Sequence, residues 1–395
     1  MIDAVPWHAD LSPAQLRRLA EPTLSELPGT ADVVVIGGGL VGLFTAWELA
    51  RRNVGLVLLL EAHALASGAS SKNTGGLFAG QASAHFPESY RGLLLRAREA
   101  YSRLAEHSPF SESEIGFSRN GSLNVSGDWP GTLSEFISAE CRRGNRIEPV
   151  CGRELRSFEP ELATSLSDGF FCPDDATVHP LRAMLAVRDD LQRHGGIIQT
   201  DTRVRRLVTT ANGSQTLSTS EGDVTSGCVV VTTGWEAAVL SEQAGCPLPI
   251  DAVKGQAVAT RRINWQLRTN VIGEQMVRQL PDGQVIAGGT LEHVGPDLAP
   301  TERGAEEVIG AARRTFPRLQ DVPFVSTWVG LRPHTPDDMP VIDRVPGSET
   351  SWIAAGHFTK GLLLAPLTGQ LVAEWIVDGQ PSCDLSLLSA TRFSH

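Results

Sequence analysis

The chain has 395 residues, 41% hydrophobic and 20% charged, a balance that supports two or three domains with a real core and excludes wholesale disorder. Its 45 acidic side chains outnumber 34 basic ones for a formal charge of −11, which argues against a nucleic-acid partner held through phosphates. No apolar run approaches the roughly 18 residues of a membrane span, and residues 1–30, with their acids and prolines, predict no signal peptide.

In chain order, residues 1–30 form a lead with a short helix predicted at Ser12–Ala20, Ser12 as its N-cap and Pro22 and Pro28 as breakers. A βαβ signature occupies Asp32–Glu61, and apolar positions one turn apart predict a helix at Tyr90–Glu106. Asn120-Gly121 and Asp282-Gly283 sit between alternating segments, as two-residue hairpin turns do. Residues 181–194 read as a helix ended by Gly195-Gly196, and Val204–Val208 and Cys228–Thr233 read as strands. A long apolar helix, Gly361–Val377, is stopped by Gly379 and Pro381. Helices and strands alternate near both ends while hairpins cluster between them. The pattern predicts a nucleotide-binding α/β domain interrupted by a β-rich insertion.

The six cysteines include no C-x-x-C pair, and the ten histidines, His85, His107 and His395 among them, show no metal-ligand spacing. Neither a metal site nor a redox dithiol is expected, and a reducing cytoplasm is the expected location. The sequons at Asn120, Asn124 and Asn212 carry little weight there.

The sharpest signal is near the start. Val33-Val34-Val35-Ile36 reads as a buried strand and runs directly into Gly37-Gly38-Gly39-Leu40-Val41-Gly42. Leu43, Ala46, Trp47 and Ala50 then recur at helical spacing. In that context Gly37 makes a tight turn, Gly39 admits a pyrophosphate to the backbone, and Gly42 lets helix and strand pack closely. The helix N-terminus offers free N–H groups to phosphates. A second strand, Val57–Leu60, ends in Glu61, whose carboxylate suits ribose hydroxyls and repels a 2′-phosphate. The dinucleotide is FAD or NAD; phosphorylated NADP is disfavoured.

The next loop separates the two. Gly68-Ala69-Ser70-Ser71-Lys72-Asn73-Thr74-Gly75-Gly76 resembles the G-A-S-x-[RK]-N-x-G element of the D-amino-acid oxidase family of flavoproteins, which includes glycine oxidase, sarcosine oxidase and D-amino-acid dehydrogenase. Glu159-Pro160-Glu161-Leu162 with His179-Pro180-Leu181, Val229–Trp235, and Gly288-Gly289-Thr290 are similar to further elements of that family. So is the block Trp328–Asp337, Pro340-Val341-Ile342 and Ala355–Gly369, which is similar to glycine oxidase almost residue for residue. The resemblance spans about 30–385. The lead, with Trp7 and Leu16, looks more like that of γ-glutamylputrescine oxidase-type relatives.

The resemblance implies a Rossmann-like (GR2-type) FAD-binding domain from 31–80, 175–250 and 330–385, with an inserted antiparallel-sheet substrate domain from 81–174 and 251–329. It implies non-covalent FAD, since the sarcosine-oxidase attachment cysteine falls at Gly330 and no histidine lies within Gly68–Gly76. The FAD contacts it implies are Gly37, Gly39, Leu40, Val41, Gly42, Glu61, Ala62, Ser70, Lys72, Asn73, Thr74, Gly75, Val204, Thr233, Gly234, Trp235, Gly255, Arg332, Gly356, His357, Lys360, Gly361 and Leu362.

The activity implied is oxidation of an amino acid or related amine: hydride passes to flavin N5, the imine hydrolyses, and O2 reoxidises the cofactor. The alternative is a dehydrogenase that passes electrons to a quinone or a protein. A tRNA-modifying domain of the same fold is disfavoured by the acidic charge, and a catalytically silent flavin-binding subunit is a third reading. Arg332 stands where glycine oxidase-like proteins hold the substrate carboxylate, with His357 and Lys360 as further active-site candidates. Two departures bear on the substrate. Thr359 replaces the arginine two residues after the histidine, and Met276 falls where a carboxylate-holding tyrosine is expected. Arg278 or Lys360 is then a candidate second cation, or the substrate is bulkier, methylated or phosphonate-like. The expected partners are a small amine or amino acid and an electron acceptor, with neither nucleic acid nor a transmembrane segment, and with a homo-oligomer left open.

Overall fold

The computed structural model describes residues 1–395 except 4, 81–85, 107–109, 126–128, 130, 211–212 and 394–395. His85, His107, His395 and the sequon at Asn212 therefore lie outside the described residues. Two large sheets carry the molecule.

The eight-stranded sheet centres on Thr30–Ile36, which pairs in parallel with Val57–Leu60 on one side and with Asp223–Val231 on the other. Alternation fixes its two faces. Val33, Val35, Val57 and Leu59 join a core with the helices Leu40–Arg51, Pro180–Arg193 and Gly361–Asp378. Val34, Ile36, Leu58 and Leu60 instead meet the Val204–Thr209 and Gln215–Thr219 hairpin and Ser351–Ala355. The Gly361–Asp378 helix packs on Leu40–Arg51 with almost no spacing: a side chain on Gly369 would stand 2.6 Å from the Phe44 carbonyl carbon. Its end carries the expected glycine cap, Gly379 in the left-handed region.

The nine-stranded sheet takes its strands from Ile2–Asp3, from 122–172 and from 251–334. Most pairs are antiparallel, including the long pair Asp251–Thr260 and Phe324–His334. Asn270–Ile272 with Ser122–Asn124, and Ile2–Asp3 with Phe324–His334, are parallel. The Phe324–His334 strand runs unbroken across the 329/330 boundary drawn from sequence.

The Asp282-Gly283 hairpin forms, between Met276–Gln279 and Val285–Gly288. The one expected at Asn120-Gly121 does not: Ser122–Asn124 pairs with Asn270–Ile272 and with Asp168–Cys172. Glycine is required at 121 for a different reason. Its φ is +66°, and the Phe171 ring occupies the space of any side chain. Among the described residues, no helix is long and apolar enough to cross a membrane.

Candidate active site

Between the two sheets lies a cavity of about 1140 Å³, somewhat above the roughly 300–1,000 Å³ usual for ligand clefts. It begins at the Gly-rich turn. Gly37 has φ +112°, and a side chain there would stand 2.7 Å from the Thr232 carbonyl oxygen. Gly42 faces the other way, where a side chain would stand within 1.9 Å of the Gly37 oxygen and force the helix off the strand. Gly39 is different. Its φ of −74° suits any residue, so its constraint is space at the cavity wall.

Leu40 N–H donates to Ser70 Oγ at 2.9 Å, and the next first-turn amides of this helix have no partners within it. Glu61 is tightly held: Oε2 accepts from Gly38 N–H at 2.6 Å, and Oε1 accepts from His63 N–H at 2.9 Å and Ser67 Oγ at 3.3 Å. A carboxylate has about four lone-pair sites, so capacity for a further donor remains. The 68–76 loop closes over this end. Asn73 braces it internally, donating Nδ2 to the Ser70 oxygen at 2.7 Å and accepting Gly75 N–H at 2.9 Å.

At the far end stands Arg332. Its guanidinium lies against the Gly255 backbone, where a side chain would come within 2.0 Å of it, and Nη1 donates to the Thr290 oxygen at 2.7 Å. Among the described residues no carboxylate is within ion-pair distance. Burial lowers its pKa to about 10, opposed by the more distant Glu292, which itself accepts from Thr290 Oγ1 at 2.6 Å.

Lys360 is buried at the mouth of the Gly361–Asp378 helix, and among the described residues the Phe78 oxygen at 3.5 Å is the one hydrogen-bond partner of Nζ. Burial pulls its pKa down to about 8, against the attraction of Asp175. His357 is 3% exposed, bonded through Nε2 to Thr368 Oγ1 at 3.1 Å, and burial lowers it to about 3. It is neutral at working pH and engaged with the helix that follows.

The cavity brings together Gly37, Gly39, Leu40, Val41, Glu61, Ala62, Ser70, Lys72, Asn73, Thr74, Val204, Thr233, Gly234, Trp235, Gly255, Met276, Arg332, His357, Thr359, Lys360, Gly361 and Leu362. Gly42, Gly75, Gly356 and Arg278 do not line it. Arg278 is 5% exposed and donates Nη1 to the Thr74 oxygen at 3.0 Å, behind the loop instead of in open volume. Neither tyrosine reaches the cavity: Tyr90 and Tyr101 are fully buried elsewhere. Sequence reasoning missed Phe78, Phe86, Leu291 and Leu298 on the wall. It also missed Asp175, which holds Ala79 and Gly80 N–H at 3.1 and 3.3 Å. Apolar residues and a lone aspartate carry no signature outside their folded surroundings.

A helix end ready for phosphate, an acid suited to a ribose and a cavity running on to a guanidinium with no carboxylate in ion-pair reach among the described residues suit a dinucleotide-binding site. The chain belongs to the DAO family of FAD dependent oxidoreductases, whose model matches residues 32–375. It is 29% identical over 372 residues to the bifunctional protein ThiO/ThiG of Synechocystis sp., with 92% of this chain and 54% of that protein covered. The chain thus spans about half the length of that relative. The crystal structure of glycine oxidase from Geobacillus kaustophilus superposes with a TM-score of 0.82 at 27% identity, over 93% of this chain and 100% of that one. That of L-proline dehydrogenase from P. horikoshii gives 0.84 at 26% identity, over 93% and 98%. FAD, the family's cofactor, fits the residues present. The cavity-wall backbone at Gly39, first-turn amides without partners inside their helix and the acid at Glu61 suit a pyrophosphate and a ribose carrying no phosphate.

Proposed function

We propose that the chain oxidises the C–N bond of an amino acid or related amine to an imine, which water hydrolyses, and that Arg332 holds the substrate carboxylate. The observation that carries this reading is the guanidinium itself: it lines the FAD cavity with a single backbone acceptor at 2.7 Å and no carboxylate in ion-pair reach among the described residues. A desolvated cation of that kind is stabilised by an anion, and its planar fork matches a carboxylate through two parallel bonds. FAD, held along the Gly37–Gly42 turn and Glu61, would supply the hydride acceptor and the route for the electrons to O2, which leaves as H2O2.

The protein's share is orientation and charge. Arg332 fixes the carboxylate and thereby the carbon that carries the amine. Lys360, cationic below about pH 8, adds a second positive charge, and Met276 gives an apolar wall where a tyrosine hydroxyl would otherwise stand. His357, neutral and bonded to Thr368, has a structural role, so the substrate amine reacts in its neutral form with no side-chain base. In this reading 31–80, 175–250 and 330–385 form the FAD-binding domain, from which Arg332 and Lys360 reach the substrate, while 81–174 and 251–329 form the substrate-binding domain. The named relatives, a glycine oxidase and an L-proline dehydrogenase, support a substrate that carries a carboxylate beside its amine.

The test is anaerobic bleaching of flavin absorbance by a panel of amino acids, N-substituted glycines and their decarboxylated analogues. Bleaching confined to carboxylate-bearing compounds is the expected result; equal bleaching by simple amines would remove the anchor. Stoichiometric H2O2 under air supports an oxidase, whereas turnover that requires an added quinone moves the reading to a dehydrogenase.

A further inference from the structure

Three consecutive backbone carbonyls of the cavity loop are gripped from three remote parts of the chain. The Lys72 oxygen accepts Trp328 Nε1–H at 2.9 Å, the Asn73 oxygen accepts Trp7 Nε1–H at 2.7 Å, and the Thr74 oxygen accepts Arg278 Nη1–H at 3.0 Å. The donors are 0%, 3% and 5% exposed, and none lines the cavity. The loop's carbonyls are thus turned into protein while Lys72, Asn73 and Thr74 themselves form cavity wall. In so dry a setting each bond is electrostatically stronger than at a surface, and losing one donor leaves a buried acceptor unpaired.

Trp7 and Arg278 also act as a pair. The guanidinium sits 5.8 Å over the indole, its Nε has no hydrogen-bond partner, and no carboxylate is in ion-pair reach among the described residues. Burial lowers it to about 10. One further contact, itself braced, fixes Trp7 in place. His179 packs edge-on at 5.0 Å, and Asp10 reaches both His179 Nε2 at 3.3 Å and Arg182 Nη2 at 2.6 Å. Ahead of it, Ile2–Asp3 pairs with Ser326–Thr327, on the strand that also carries Trp328 and Arg332.

We propose that the N-terminal segment is a strut for the FAD-facing loop, and that Trp7 is its positioning residue, with the indole N–H as the atom that matters. This rests on FAD occupying the cavity and not on the identity of the substrate. The Trp7→Phe variant keeps an aromatic face for Arg278 and removes only the N–H. In the full-length protein its FAD dissociation constant is expected to rise about tenfold or more. At saturating FAD, the visible circular dichroism and the midpoint potential of the bound flavin are expected to shift, because the loop beside it has moved. Arg278→Lys, which replaces the fork on the adjacent carbonyl with a point charge, should shift the same readouts in the same direction, and it carries the test if Trp7→Phe fails to fold. A merely structural tryptophan would lower the melting temperature and leave the flavin's spectrum and potential alone. Wild-type dissociation constant, spectrum and potential in both variants overturn the proposal, whatever their stability.

Discussion

Arg332 and Lys360 are two buried cations on one cavity, yet their chemistry differs. Arg332 stays charged at every working pH, so its loss is read in binding. In Arg332→Ala the substrate carboxylate loses its bidentate partner in a desolvated pocket, and kcat/KM should fall by about 30- to several-thousand-fold, or about 2–5 kcal/mol. Arg332→Lys should recover only part of this, since a point charge cannot make both parallel bonds. Steady-state kinetics beside flavin content checks the assignment: a mutant that loses flavin or unfolds makes Arg332 structural. Lys360 titrates instead. Its pKa is lowered to about 8 by burial, so the cation is present below that pH and lost above it. For a carboxylate substrate, kcat/KM should rise with pH as the substrate amine loses its proton and turn to a flat limb above about pH 8, and Lys360→Met should abolish that limb. Profiles with the same limb in both proteins would exclude Lys360 from substrate binding. Sequence alone offered Arg278 as a second cation too. It shares a strand face with Met276, but the 72–74 loop lies over its end of that strand and takes the guanidinium as a prop. Residue type was legible; which long-range neighbour covers it was not.

Elements divide by how local their causes are. The strand–Gly turn–helix unit was fully legible, because strand periodicity, turn glycines and helical stripe all lie within thirty-odd consecutive residues. The Asp282-Gly283 hairpin was legible for the same reason. Asn120-Gly121 misled because the partners of Ser122–Asn124 come from 168–172 and 270–272, and no turn signal encodes such pairings. At the Gly-rich turn the cause of each glycine can be separated by substitution. Gly39→Val fits the local φ of −74° and the helix start, so the fold should persist while its methyl groups fill the phosphate side of the wall. Flavin content after gel filtration should drop to near zero with the far-ultraviolet circular dichroism unchanged. Retained flavin would mean that the dinucleotide lies elsewhere.

For the whole molecule, the attachment residues of covalent relatives are missing, so acid precipitation should leave the yellow colour in the supernatant and a white pellet. A coloured pellet would show a covalent bond made at a residue not considered above. Long-range architecture was the least legible property. A nine-stranded sheet assembled from three separated stretches, and a lead that reaches both that sheet and the flavin loop, follow from contacts that no window of sequence contains. The packing of the Gly361–Asp378 helix on Leu40–Arg51 has a consequence for how the protein is made. Leu40–Arg51 leaves the ribosome roughly 300 residues before the Gly361–Asp378 helix whose Gly369 nests on Phe44. At roughly 5–20 residues per second that is a wait of about 15–60 s with an apolar helix face uncovered. Nascent chains arrested at Lys360 should therefore be cut rapidly by added protease and hold no FAD. Chains released beyond Asp378 should become resistant, which makes FAD capture wait for the Gly361–Asp378 helix and leaves the growing chain a client for chaperones until then.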